Sequence, residues 1–339
     1  MRRVDNPASR FLPQAVHFDG QAPDAKLEVF EQSAGEILSK NDSRDLPFRY
    51  SLNPYRGCYH GCVYCYARPS HEYLDFGAGS DFERKLVVKT NAPERLRQTF
   101  ERKRWRGERI VLSGNTDCYQ PLEAAYELTR RCLQVCLEYR NPVTVITKGA
   151  LVQRDVDVLS QLAREASARV MLSIPYVDEA LARAIEPYAS SVDKRFEAMR
   201  VLSDAGVETG VAIAPIIVGL NDRSVPHVLS RAHTAGATHA FMTALRLDAQ
   251  VQPIFFARLQ ETMPDAVGRV RSALHDVKPA SAGGIADNRP GRRFVGQGAR
   301  WKLVEDVFAL HCERLGLNVG EEGPEVQSFE RPVAQLELF

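Results

Sequence analysis

Residues 53–68 read NPYRGCYHGCVYCYAR, in which Cys58, Cys62 and Cys65 follow the spacing C-x3-C-x2-C. Three thiolates on one short loop can hold three irons of a cubane [4Fe-4S] cluster and leave the fourth iron without a cysteine. The same residues, with His60 or His71 as a fourth ligand, could instead close a zinc site, which usually takes four protein ligands. Gly57 and Gly61 flank the first two cysteines, where a loop wrapping a cluster needs turns that glycine permits.

An iron without a cysteine is open to a small chelating cosubstrate. S-adenosylmethionine binds such an iron through its amino and carboxylate groups and accepts an electron at its sulfonium, which yields a 5′-deoxyadenosyl radical. At these residues the chain resembles the radical S-adenosylmethionine (radical SAM) superfamily, and the string GC-x3-C-x-YCYAR is similar to that of its spore photoproduct lyase-related branch, over about residues 50–250. The resemblance implies a lyase-like or modification enzyme that cleaves S-adenosylmethionine reductively and abstracts hydrogen from a substrate. It also implies an electron donor such as flavodoxin or ferredoxin and, through the branch, a nucleic-acid or nucleotide substrate.

Further site residues follow from the resemblance, position by position. Tyr64, the aromatic residue before the third cysteine, is expected to pack near adenine, and Tyr66 matches a tyrosine of the lyase branch. In SGNTDCYQP, Asn115, Thr116 and Asp117 offer acceptors for the ammonium of the cosubstrate, and Thr116 with Asp117 matches a hydroxyl-Asp pair of that branch. Lys148 is expected to pair with the cosubstrate carboxylate and Ser173 to face its ribose. Ala214, Pro215 and Ile216 fall where the family flanks adenine. The lyase carries its hydrogen-donating cysteine just before the hydroxyl-Asp pair, where this chain has Gly114, so repair of spore photoproduct is not implied. Cys118, after the pair, is either a thiol donor at the barrel mouth or a loop residue, and Tyr66 is the other candidate for a catalytic role.

The remaining cysteines read differently. Cys132 and Cys136 lie one helical turn apart among apolar residues, as small core side chains do. Cys312 has no partner at ligand spacing. Arg289, Arg292, Arg293, Arg300 and Lys302 gather near Phe294 and Trp301, a composition that suits either a solvated loop or contact with phosphates and bases.

These residues need a frame to position them. From Arg109 onward, β-branched runs alternate with helical patterns: RIVLSG, Leu122 to Tyr139, VTVIT, Asp155 to Ala166, ARVMLSI, Asp193 to Ala205, ETGVAIAPIIVG, Val225 to Ala235 and HAFMTAL. With a strand near Ser51 to Tyr55, this predicts six strand-helix units, an α/β fold of the partial (β/α)6 TIM-like barrel type with N- and C-terminal extensions. Sites in such barrels lie at the carboxyl ends of the strands, where these motifs fall. The expected organisation is an N-terminal extension over residues 1–48 with a helix from Asp24 to Lys40, a radical SAM core over 49–250, a C-terminal helical region with the basic loop over 251–318, and a loose tail over 319–339.

Composition sets outer bounds. The 339 residues are 44% hydrophobic, enough to bury a full core, and the net charge of +1 supplies no global field toward nucleic acid or anionic membranes. Seven cysteines, three of them within eight positions, favour metal or redox chemistry over structural disulfides. No apolar run reaches a membrane span and the first residues lack a signal-peptide core, so a cytoplasmic protein without membrane contact is expected. Two other functional classes share the motif: a zinc- or iron-sulfur-containing nucleic-acid-binding module without radical catalysis, and an iron-sulfur electron carrier. The electron carrier would not need the polar residues Thr116, Asp117, Lys148 and Ser173.

Overall fold

The computed structural model describes residues 26–278, 291–319 and 328–332. Its strands are β1 (Glu28–Gln32), β2 (Leu38–Lys40), β3 (Tyr50–Leu52), β4 (Tyr55–Arg56), β5 (Lys85–Lys89), β6 (Ile110–Leu112), β7 (Val143–Thr147), β8 (Ala168–Ser173), β9 (Glu208–Ile216) and β10 (His239–Ala244). The main sheet has the order β10-β9-β8-β7-β6-β3-β2. Six of these strands, β3 and β6 to β10, run parallel in chain order, and β2 joins the β3 edge antiparallel. This is the expected partial barrel: sequential parallel strands joined by helices, with β2 and β10 as its two edges.

The parallel strands carry the near-continuous burial of a sheet covered on both faces, clearest in β8 and β9. Covering helices follow the 3.6-residue period. Val156–Glu165 buries Val158, Leu159 and Leu162 on one side. Helices that flank the site are fixed at their starts by side-chain caps: Asp178 accepts from the Leu181 N–H at 2.6 Å, and Ser191 accepts from the Lys194 N–H.

Three expectations change. The stretch 24–40 is not a helix in its described part. Glu28–Gln32 instead extends along β5 as β1, and β2 completes the main sheet, so the N-terminal region is part of the architecture. The helix expected over Leu122 to Tyr139 is two, Glu123–Tyr126 and Leu128–Glu138, broken at Glu127, whose φ is 51°. The Glu123 carboxylate accepts from the Thr129 and Arg130 N–H groups, which restarts the helix in a new direction. The C-terminal segment is not wholly loose either. Phe329 packs on Phe100 and Tyr139, and Arg331 donates to the carbonyls of Phe100, Arg102 and Trp105. Helix Gly298–Leu315 lies against helix Val225–Thr234 and closes that flank. Among the described residues no helix is long and apolar enough to cross a membrane.

Candidate metal and cosubstrate site

The loop from Gly57 to Arg68 leaves β4 and lies over the carboxyl ends of the parallel strands. Gly57 and Gly61 have φ of 74° and 66°. A Cβ at Gly57 would stand 2.8 Å from the Phe82 carbonyl oxygen and from Leu86, so this turn has no room for one. The loop is tied down by its own ends: Cys58 N–H donates to Phe82 O at 2.9 Å, and Cys65 N–H to Cys62 O at 3.2 Å. Beneath it lies Arg68, fully buried. Its guanidinium donates to the carbonyls of Gly61, Cys62, Ala78 and Gly79 and to the Glu83 carboxylate. Gln120 adds a link on the other side, accepting from Tyr59 N–H and donating to Gly57 O.

Cys58, Cys62 and Cys65 are free thiols close enough to act on one another. Burial, followed by the charges of Glu186 and the neighbouring thiols, pushes Cys62 well above its ordinary value. Burial and Cys58 push Cys65 up to about 11. Thiols such as Cys62 and Cys65, which resist ionisation here, are stabilised as thiolates by a cationic iron cluster, so the three-cysteine donor set fits a [4Fe-4S] cluster with one iron left open. Among the described residues no three His, Cys, Asp or Glu side chains converge as one metal ion requires. The two histidines are also otherwise engaged: His71 Nε2 is 2.8 Å from Lys85 O, and His60 Nδ1 is 3.3 Å from Asp117.

The turn after β6 holds the next group. Ser113 ends the strand with φ of 78°, and its hydroxyl accepts from Cys118 N–H at 2.9 Å. Asn53 accepts from the N–H groups of Asn115 and Thr116, which joins this turn to β3. Thr116 spends its hydroxyl hydrogen on Tyr55 O at 2.8 Å, and Asn115 donates its amide to Ser70.

Asp117 departs from its expected role as a free acceptor. One oxygen accepts from Thr147 Oγ1 at 2.6 Å and Tyr119 N–H at 2.9 Å. The other accepts from Lys148 N–H at 2.8 Å and faces His60. Burial alone would raise the Asp117 carboxyl, but His60 and these donors hold it down at about 2. For His60, burial opposes the charge, and Asp117 with Cys58 outweighs it, raising the imidazole to about 10. The 3.3 Å contact lacks hydrogen-bond alignment, so it is a charge pair. Asp117 is therefore a strut between the cysteine loop and β7.

Cys118 is a correction. Its side chain is fully buried in the core and burial pushes its thiol far up, which matches a packed turn residue rather than a thiol presented at the mouth. Gly114, where the lyase branch has its cysteine, could not hold one without backbone movement, because a Cβ there would lie 2.8 Å from Ser51 Cβ.

At the ends of β7 and β8, Lys148 Nζ donates to Ser173 Oγ, and Ser173 Oγ lies 3.3 Å from Ala214 O on β9. Lys148 Nζ is also 3.4 Å from Glu186 and 5.8 Å from the centre of the Tyr64 ring. Tyr64 donates its hydroxyl to Glu186, and Arg195 Nη1 lies 2.7 Å from the same carboxylate. The fold thus brings together Tyr64, Lys148 and Ser173, three of the residues named from the sequence. Sequence reasoning missed Glu186 and Arg195, which sit in IEPYAS and DKRFEA without a motif to mark them. Arg68 was within reach of it as the last residue of CYAR.

Tyr66 is 41% exposed at the mouth, with its hydroxyl donating to Gly114 O at 2.9 Å. Phe294 meets its ring edge-on at 6.4 Å, and the Arg246 guanidinium lies 5.8 Å from its centre. Arg246 is itself paired with Asp248 at 2.9 Å, and three members of the basic concentration are paired as well. Arg293 pairs with Asp45, Arg300 with Asp276 and Lys302 with Asp306, while Trp301 is buried. Arg289 lies outside the described residues.

Comparison with known proteins places this geometry. The family model of the Radical SAM superfamily matches residues 52–232, more than half of the chain. The uncharacterized protein Rv2578c of Mycobacterium tuberculosis is 36% identical over 244 residues, covering 70% of this chain and 72% of that protein. The uncharacterized protein MJ0683 of Methanocaldococcus jannaschii is 31% identical over 198 residues, covering 58% of this chain and 71% of its own length. Among solved structures, spore photoproduct lyase complexed with dinucleoside spore photoproduct superposes with a TM-score of 0.61 at 17% identity, over 85% of this chain and 80% of the lyase. A mutant of that lyase with bound AdoMet and the same dinucleoside gives 0.61 at 16%. At such identities the likeness is one of fold.

Proposed function

Because the chain belongs to the radical SAM superfamily, we propose that Cys58, Cys62 and Cys65 hold a [4Fe-4S] cluster and that Lys148, Ser173, Asn115 and Tyr64 bind S-adenosylmethionine beside it. Such a cluster, reduced by a donor such as flavodoxin or ferredoxin, supplies the electron that splits S-adenosylmethionine into methionine and a 5′-deoxyadenosyl radical.

The observation that carries this reading is the charge beside the cysteine loop. Lys148 and Arg195 face the single carboxylate of Glu186, so one positive charge is left over at the ends of β7 and β8. A carboxylate entering there pairs with Lys148 without stranding a buried ion. Ser173 next to it offers a hydroxyl to a ribose, and Asn115 on the opposite rim offers an amide oxygen to an ammonium. Thr116 and Asp117 hold that rim in place through Tyr55, Thr147 and His60. The zinc-module and electron-carrier readings leave this polar group unexplained.

For the substrate we propose a nucleotide or nucleic acid, with Tyr66 and Phe294 as the stacking surface and the Arg246–Asp248 pair beside it. Tyr66, exposed and hydrogen-bonded to Gly114 O, is our candidate to give a hydrogen atom to the product radical, becoming a tyrosyl radical itself. The test is anaerobic reconstitution with iron and sulfide, reduction with dithionite, and chromatography for 5′-deoxyadenosine. Formation of the nucleoside supports radical cleavage; zinc without iron or sulfide after anaerobic purification would support a structural metal module instead. For the substrate, oligonucleotides should bind the wild type more tightly than Tyr66→Ala in a fluorescence anisotropy titration.

A further inference from the structure

The segment that follows helix Glu179–Ile185 runs along the cysteine loop. Val63 N–H donates to Ile185 O at 3.1 Å, and Tyr188 N–H donates to His60 O at 3.2 Å. Between these two rungs Glu186 turns inward, 1% exposed. Its carboxylate takes the Tyr64 hydroxyl from the loop, Lys148 from the end of β7, and Arg195 from helix Val192–Asp204. Tyr176 and Cys62 complete its surroundings.

Arg195 cannot drift from this place. It also donates to Ser190 O at 2.7 Å and Ser173 O at 2.8 Å, and it is itself 1% exposed. Burial alone would raise the Glu186 carboxyl, but Lys148 and Arg195 outweigh it and keep the group ionised. A fixed negative charge thus stands beside the cysteine loop, bonded to it through the Tyr64 hydroxyl and paired with the lysine proposed for the cosubstrate carboxylate.

We infer that Glu186 is a positioning residue of the site, which joins the cysteine loop to Lys148 and lowers the reduction potential of the cluster by its buried charge. This rests on the cluster reading above. Reduction adds an electron to the cluster, and a nearby fixed anion in a poorly polarisable interior opposes that electron; a nearby fixed cation favours it. Glu186 and Arg195 therefore act with opposite signs on one observable, which a purely structural role would not move in that way.

The experiment is a redox titration of reconstituted protein without substrate, followed by electron paramagnetic resonance, on the wild type, Glu186→Gln and Arg195→Gln, with iron and sulfide measured in each. Glu186→Gln keeps the shape and loses the charge, so its midpoint potential should shift positive at unchanged iron content. Arg195→Gln should shift it negative. Glu186→Asp should return it toward the wild type. A Glu186→Gln protein with a full cluster and the wild-type potential overturns the role of Glu186 alone. If Glu186→Gln loses its cluster, Arg195→Gln decides: a negative shift supports the inference and an unmoved potential overturns it. A wild type that takes up no iron and sulfide overturns the cluster reading and this role with it.

Discussion

His60 Nδ1 lies 3.3 Å from a carboxylate oxygen of Asp117, and through that contact the cysteine loop is joined to the turn after β6. Asp117 passes the link onward to β7 through Thr147 and the Lys148 N–H. The pair fixes where Cys58 and Cys62 stand relative to the strand ends, so Asp117 acts on the cluster by holding its loop.

Asp117→Asn should therefore lower the iron taken up on reconstitution, besides weakening cosubstrate binding. Losing the charge opposite His60 should cost about 1–3 kcal/mol in urea melts of the iron-free protein. The carboxyl sits at about 2 against an ordinary 3.8, so its contribution is present above the ordinary value and is lost as pH falls toward 2. The difference between wild type and variant should accordingly shrink over that acidic range. Equal iron content and equal stability at neutral pH would contradict the strut.

Arg68→Met should be more damaging. It removes the charge opposite the buried Glu83 and the donors to four carbonyls of the cysteine loop and its neighbour. Breaking one side of a buried ion pair costs about 3–5 kcal/mol. Denaturant melts and iron analysis should both register it, and Arg68→Lys should recover only part, since an ammonium cannot span those acceptors.

Lys148→Ala should leave the cluster in place and weaken S-adenosylmethionine by about tenfold to a hundredfold, the loss of one charge-assisted hydrogen bond of about 1.5–3 kcal/mol. The measurement is the cosubstrate titration of the reduced cluster's paramagnetic signal. An unchanged dissociation constant would mean that the carboxylate binds elsewhere.

Cys132→Ala and Cys136→Ala serve as the contrast. Both thiols are buried in the core, at 0% and 1% exposure, on helix Leu128–Glu138. Each replacement should cost on the order of 1 kcal/mol and spare iron and sulfide entirely. Loss of iron in either would assign those residues to a second cluster.

The strands from β6 to β9 were legible because each is a local apolar run, rich in β-branched residues, between helical patterns. The stretch from Leu27 to Lys40 misled because its pairing partners, β5 and β3, are supplied by the fold and override helix propensity. Within the site, the cysteines were legible as one contiguous motif. Glu186 and Arg195 were not, since only the barrel brings them to Tyr64 from more than a hundred positions away. The basic loop read equally as a solvated segment or a phosphate surface, because the partner of Arg293, Asp45, lies far off in sequence.

The most direct test of the central claim compares the wild type with Cys58→Ala, Cys62→Ala and Cys65→Ala after anaerobic reconstitution and reduction. Electron paramagnetic resonance is recorded before and after S-adenosylmethionine is added. The account predicts a reduced [4Fe-4S] signal in the wild type whose shape changes when the cosubstrate occupies the open iron, and no such signal in any of the three variants. A variant with wild-type iron, sulfide and signal, or a wild-type signal indifferent to S-adenosylmethionine, would contradict it.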